Sequence, residues 1–498
     1  MSSVSVTVNG RANILGHPRG LYTLFMTEMW ERFSYYGMRA LLVLFMVDQI
    51  DNGGLGLADE TATAIYGLYT AAAYVVALPG GWVADRLTGA QRAVWIGGIV
   101  IMCGHFVLAI PNVGTFFLGL ILVVLGTGLL KPNVSALVGE LYALDDERRD
   151  SAYTIFYMGI NVGAAAGPLI CGWLARGNWH YGFAAAGVGM LFGLIQYRAS
   201  RGFLGEAGLS PEAAEQQPAG FRVKAWAAIG IFLAVIASLY LSGLSGWITF
   251  NPVRIAQGTT TVIALIALSY FAGLFLFGRL DKDERGRVVV ILALFLAAAM
   301  FWAGFEQAGS SLNLFAERYT IREFGAFVIP TAWFQSLNPM FIILLAPLYS
   351  MLWVALARRH LDPSAPLKFA LGLMILGAGF AVMIGAAHLV ASGERVLPTW
   401  LLFTYLLHTM GELALSPVGL SSVSKLAPRR FVGQMMGVWF LANSLGYIIA
   451  GLIAGEFSAE AVEDMPGLYW QIVLTTVGAG VILALCARPL KRMMGSAR

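Results

Sequence analysis

Charge is scarce in this sequence. Asp, Glu, Lys and Arg make up 12% of the 498 residues, while 58% are hydrophobic and the mean hydropathy is +0.72. Soluble globular domains carry about a quarter charged residues. An ordinary water-facing surface is therefore excluded, and a polytopic membrane protein is expected. The net charge of +4 comes without any dense basic run, which excludes a nucleic-acid surface. Cysteine is equally sparse. Cys103, Cys171 and Cys486 fall in apolar segments at unrelated spacings, so no disulfide or metal pattern is present and buried, inert thiols are expected. The opening stretch MSSVSVTVNGRANILGHPRG has no apolar core of the signal-peptide kind, so the first membrane helix is expected to serve as an uncleaved signal. No nucleophile–base set, metal cluster or phosphate loop stands among the polar residues of the apolar segments. Neither enzyme activity nor a cofactor is expected, protons apart.

Long apolar runs are what the chain does have. About 20 apolar residues are needed to cross the hydrocarbon of a bilayer. Such runs lie near residues 21–47, 62–84, 92–111, 115–137, 153–175, 181–197, 223–245, 257–278, 287–309, 329–356, 367–389, 397–423, 431–455 and 469–487, fourteen in all. They are continuously apolar rather than alternating, which excludes a β-barrel. Gly, Ala and Ser fill many of them, as close helix contacts in lipid require. Basic residues orient the set. Only Arg176, Arg254, Arg318, Arg322 and Arg395 fall on one side, and Arg32, Arg39 and Lys131 lie within spans. All the rest of the 32 Lys and Arg fall on the other side. Both termini are thus expected in the cytoplasm, with the protein in the plasma (bacterial inner) membrane.

Domain organisation follows from a break in this rhythm. A polar linker, 196–224, comes after six spans; two spans without internal charge follow, then the charged loop 279–287 and six more spans. The expected plan is a tail (1–20), an N-terminal six-helix bundle (21–200), a linker with two additional helices (201–286), a C-terminal six-helix bundle (287–487) and a second tail (488–498). Paired bundles around a central cavity are a recurrent transporter plan.

Charged residues inside spans carry the functional signal. A charge at mid-bilayer costs roughly 2.5 to 3.5 kcal/mol, yet the first span reads EMWERFSYYGMRALL over residues 28–42. At about 100° per residue, Glu28, Arg32, Tyr35 and Arg39 share a stripe about 60° wide, flanked by Glu31 and Tyr36. Such a stripe faces protein or water. Lys131 sits at membrane level in the fourth span and Asn161 in the fifth. Glu306 and Glu412 are alone in their spans, and Arg39 and Lys131 are their candidate partners. Gln335, Asn338, Tyr74, Trp302 and Trp439 are further polar and aromatic markers, whereas Tyr66 and Tyr69 read as packing residues and His408 as a satisfied core histidine.

The stretch GGWVADRLTGAQR (80–92) resembles the short loop signature of the major facilitator superfamily. Glu28-x-x-Glu31-Arg32-Phe33 followed by Tyr-Tyr-Gly resembles the first-helix motif of the proton-dependent oligopeptide transporters. GLLKPNVSALVGELY, FYMGINVG and ELALSPVGL resemble that family's further signatures, in the same order. The resemblance implies an all-α major facilitator fold of two six-helix bundles plus an inserted pair of transmembrane helices. It also implies a proton-coupled symporter of di- and tripeptides working by alternating access.

On this chain it assigns proton coupling to Glu28, Glu31, Arg32, Lys131, Glu306 and Glu412. Arg39, Tyr35, Tyr36, Tyr74 and Lys131 would surround the peptide's carboxylate end. Asn161, Asn338 and Glu412 would receive its amino end, and Gln335, Trp302, Ser416, Trp439 and Phe440 would line the pocket. The bottom-up reading is compatible: a cationic side and an acidic side hold the two termini that all short peptides share, and aromatic walls accept varied side chains. The family also carries nitrate and other small solutes, so a drug, nitrate or metabolite is the alternative cargo. The protein is expected to function as a monomer.

Overall fold

The structure is a computed structural model that describes residues 16–143, 145–209, 218, 220–457 and 462–495. Most of the expected N-terminal tail and the centre of the expected linker lie outside the described residues. The first half of the chain forms α1 (Arg19–Val47), α2 (Asp59–Val75), α3 (Ala77–Val83), α4 (Ala90–Leu108), α5 (Val113–Glu140), α6 (Arg148–Ala175) and α7 (Trp179–Ser200). Two helices follow, α8 (Phe221–Leu244) and α9 (Pro252–Phe277). The remainder forms α10 (Lys282–Phe305), α11 (Ser311–Tyr319), α12 (Leu337–Arg358), α13 (Ala365–Ala391), α14 (Thr399–Leu426), α15 (Val432–Gly455) and α16 (Met465–Met493).

All fourteen expected spans are helical, but two are broken. The second span divides into α2 and α3 at Val76. Pro79 explains the site of the break, because its ring clashes with the carbonyl four residues earlier, that of Val75. The ninth span ends at Phe305, continues as a 3-10 turn over Glu306–Gly309 and resumes as α11. The tenth begins as a 3-10 turn, Thr331–Ser336. A short hairpin, β1 (Glu323–Phe324) with β2 (Phe327–Val328), and a parallel bridge between Thr320 and Val396 interrupt the helices. The Arg395 guanidinium beside Glu323 holds its carboxyl below the usual range. Among the described residues, eleven helical stretches are long and apolar enough to span a membrane by length and composition alone. α1 fails that test because of its own charges.

Packing divides the described residues into two units that interleave along the chain. Unit 1 holds the chain up to Tyr36, Val76–Gly167 and Phe183–Ser238; unit 2 holds Gly37–Val75, Pro168–Gly182 and Leu239 onward. In unit 1, Leu24, Ile101, Leu130, Val134, Met190 and Leu194 form the buried core. There α4 and α5 pack backbone to backbone. A Cβ on Gly126 would come within 2.6 Å of the Gly97 carbonyl oxygen, and one on Gly104 within 3.0 Å of the Gly119 oxygen. Small residues at such crossings give van der Waals contact that lipid cannot replace.

In unit 2, α13 packs on α14 and α16, α10 on α15, and α2 on α15. The inserted α9 lies against α15 and α2. α8, which belongs to unit 1 up to Ser238 and to unit 2 beyond it, leaves Val223, Ile231, Leu241 and other apolar side chains exposed, as a lipid-facing helix does. The cysteines correct one expectation: Cys171 is buried, but Cys103 and Cys486 are exposed on apolar helix surfaces.

Candidate transport site

The charged stripe of α1 is split between the two units. In unit 1, Arg32 Nε donates to Glu28 Oε1 at 2.8 Å and lies 2.6 Å from Glu31 Oε2. All three side chains are buried, Glu31 completely. Two carboxylates thus share one guanidinium. Among the described residues neither Glu31 oxygen, nor Glu28 Oε2, receives a hydrogen bond. The Arg32 guanidinium also stands 5.6 Å from the Tyr35 ring centre, and Tyr35 meets Tyr36 edge-on at 5.3 Å.

Lys131 precedes Pro132 inside α5, is half-buried, and acts on Glu31 through its charge. Asn161 is buried on α6, where its amide donates to the Tyr157 carbonyl one turn earlier at 2.9 Å. The Asp85–Arg86 signature lies exposed on the π-helical turn between α3 and α4.

In unit 2, Arg39 and Glu306 form the expected ion pair, Nη2 to Oε2 at 2.7 Å. The pair has a third member. Arg39 Nε donates to the Tyr66 hydroxyl at 2.6 Å, and that hydroxyl donates to Glu306 Oε2 at 3.2 Å. The fully buried Tyr66 is therefore part of the site and not mere packing. Glu306 is placed by the break after α10, and the same break makes room for the triad. A Cβ on Gly309 would collide with the Tyr66 hydroxyl, so only glycine fits there.

A second acid site in unit 2 centres on Glu412. Asn338 Nδ2 donates to Glu412 Oε2 at 2.8 Å and to Thr409 Oγ1 at 3.0 Å. The charges of Glu306 and Arg39 act on Glu412. Gln335 donates to the Ala308 carbonyl inside the helix break, and Tyr405 donates to the same carbonyl at 3.2 Å. Asn161, expected to join Asn338 and Glu412, belongs to unit 1.

Aromatic walls assemble around Tyr447, which packs edge-on against Tyr74 at 5.0 Å and Trp302 at 5.8 Å. Trp439 is buried against Phe369 at 6.1 Å and over Gly419. Phe440 is half-buried on the next position, and the Ser416 hydroxyl is buried without a partner among the described residues. His408 is buried against Phe380, in the core position expected of it.

Sequence reasoning missed Tyr66, Tyr405, Thr409 and Tyr447 as members of these clusters. It also missed a bidentate pair, Arg318 to Asp59 at 2.6 and 2.7 Å, which ties α11 to the first turn of α2. A tyrosine inside an apolar run gives no signal of its own until a charge is placed beside its hydroxyl.

Fourteen helical spans, with buried ion pairs and lone carboxylates at membrane level, define a secondary-transporter fold. The sequence profile of the POT family matches residues 91–470, and the chain belongs to that family. It is 43% identical over 503 residues to the peptide transporter YePEPT of Yersinia enterocolitica subsp. palearctica, covering 99% of this chain and 98% of that protein. It is 39% identical to the di-/tripeptide transporter of Lactococcus lactis subsp. cremoris, covering 97% and 98% of the two. A crystal structure of a peptide transporter POT in complex with sulfate superposes with a TM-score of 0.89 at 41% identity, covering 97% of each chain. A POT family transporter solved with 5-aminolevulinic acid gives 0.87 at 32% identity, covering 96% and 98%. The fold is that of the major facilitator superfamily, with fourteen helical spans among the described residues.

Proposed function

We propose that this protein is a proton-coupled symporter that imports di- and tripeptides by alternating access across the bacterial inner membrane. It works as a monomer with both termini in the cytoplasm, and protons are its coupling ion. The observation that carries the reading is the Glu28–Glu31–Arg32 cluster. Two buried carboxylates against one guanidinium leave an excess negative charge, and binding one proton removes it. Proton arrival at Glu31 loosens its hold on Arg32 and changes the charge presented to the cavity.

The peptide's carboxylate is matched by the cations Arg39 and Lys131, which Tyr35, Tyr36 and Tyr74 accompany. Its ammonium is matched by Glu412, with Asn338 and Asn161 as neutral acceptors. Tyr74, Trp302, Trp439 and Phe440 supply surface without directional hydrogen bonds, so side-chain identity is read loosely. Peptide transport by the curated relatives, over nearly the whole chain, supports the choice of cargo.

Purified protein in liposomes tests the proposal. An inward proton gradient should drive accumulation of a labelled dipeptide, and dissipating the gradient should abolish it. Accumulation of another small solute but not of dipeptides would transfer the function to that solute. Proton exchange in the opposite sense would make the protein an exporter.

A further inference from the structure

One end of unit 2, where α14 stops and α10 and α15 start, holds a cavity of about 600 Å³. Its polar lining is Glu284, Arg287, Ser424, Lys425, Arg429 and Arg430. Four cations face one carboxylate, and that carboxylate is already committed. Glu284 Oε2 accepts from Arg430 Nη2 at 2.9 Å and from the Asp281 backbone N–H at 3.2 Å, closing the capping box of α10. The same Arg430 Nη2 also donates to the Arg279 carbonyl at 2.9 Å.

Arg287, Lys425 and Arg429 are left without a carboxylate in ion-pair range among the described residues. The Arg287 Nε is buried there without any hydrogen-bond partner. The 3-10 turn Arg429–Phe431 runs directly into α15, so the helix start at this end of the unit begins at Arg429, and both Arg429 and Val432 line the cavity. The first N–H groups of a helix carry partial positive charge. Lys425, in the last turn of α14, offsets the negative end of that helix.

A stranded Arg287 Nε, with the exposed cations Lys425 and Arg429 beside it and no carboxylate among the described residues to pair them, makes a positive site that an anion would complete. A tetrahedral group suits them better than a planar carboxylate, because its oxygens accept donors from several directions at once. The cavity lies at the ends of membrane-crossing helices, where lipid headgroups are present, and its volume falls in the range of small-ligand sites. We propose that this cavity is a binding site for a phosphate group, borne by an anionic lipid headgroup or free in solution.

The test uses purified full-length protein in detergent, read by thermal unfolding and native mass spectrometry. Phosphatidylglycerol, phosphatidylcholine and inorganic phosphate are added in separate arms. Phosphatidylglycerol, inorganic phosphate or both should raise the melting temperature saturably, and the neutralised headgroup of phosphatidylcholine should not. A response to phosphatidylglycerol alone assigns the site to lipid; a response to inorganic phosphate assigns it to the group itself. The double variant Lys425→Gln/Arg429→Gln alters only exposed side chains. It should keep the parent's melting temperature without anion and bind roughly tenfold more weakly for each cation removed. If no anion acts on the parent, or if the variant responds as the parent does, the site does not exist.

Discussion

In the proposed function, Glu31 is the residue on which coupling turns. Its carboxylate has no exposure, no hydrogen-bond donor among the described residues and a single shared cation. Glu31→Gln removes the titratable site while keeping shape. Gradient-driven accumulation of dipeptide should therefore vanish while counterflow exchange survives. A variant that still concentrates peptide would show that the proton binds elsewhere.

Tyr66→Phe deletes one hydroxyl from a buried triad and strands part of Arg39 and Glu306. Leaving buried polar groups unsatisfied costs about 1–3 kcal/mol. The variant should melt several degrees below the parent in the same detergent, and an unchanged melting temperature would mean that the hydroxyl bears no load. Glu412→Ala tests the amino end of the substrate. Free dipeptides should lose affinity severely, N-acetylated ones should bind poorly to parent and variant alike, and the variant should no longer distinguish the two. Retention of the parental preference would move the ammonium site to Glu306.

Among these residues the ionic members were legible in the sequence, because a lone charge in a membrane span must find a partner. Arg39 and Glu306 were recognisable that way across 267 residues of separation. Tyr66 was not, since its role exists only once α2 lies beside both charges.

At the scale of elements, helix number and position could be read from apolar runs, but helix breaks could not. Pro79 marks the division of α2 from α3 by a local steric rule. The 3-10 turn at Glu306–Gly309 has no such marker; there the Tyr66 hydroxyl takes the space that a side chain on Gly309 would need. The Arg318–Asp59 pair fastens two helix ends near this break. It is partly exposed, so solvent screening reduces its worth from that of a buried bidentate pair to about 1 kcal/mol. Asp59→Asn should speed amide hydrogen exchange in the first turn of α2 and the last turn of α11 by roughly fivefold, since local opening follows local stability. Equal exchange in parent and variant would show that the pair does not hold these ends.

At the scale of the whole molecule, composition alone placed the chain in a membrane, and the motif order pointed to its family. The interleaving of the two packing units was not legible. Of their five borders, three fall within α1, between α2 and α3, and within α6, next to Gly37, the Pro79 break and Pro168, and two fall within α7, after Gly182, and within α8, after Ser238. Sequence shows where a helix is weak, but not which neighbour each half prefers.

The two carboxylates sharing Arg32 have a consequence for electrical behaviour. Glu28, Glu31, Glu306 and Glu412 stand against Arg32, Arg39 and Lys131, so the seven membrane-level charges sum to minus one. A bound proton brings them to zero, and a zwitterionic peptide leaves them there. The loaded carrier thus crosses as a neutral body, while the empty one returns carrying a negative charge outward. An interior-negative potential favours that return by up to about 2.3 kcal/mol per 100 mV for a full charge transfer. Voltage should therefore act on the reset of the cycle, and the current recorded from this protein should measure how fast the empty carrier turns round.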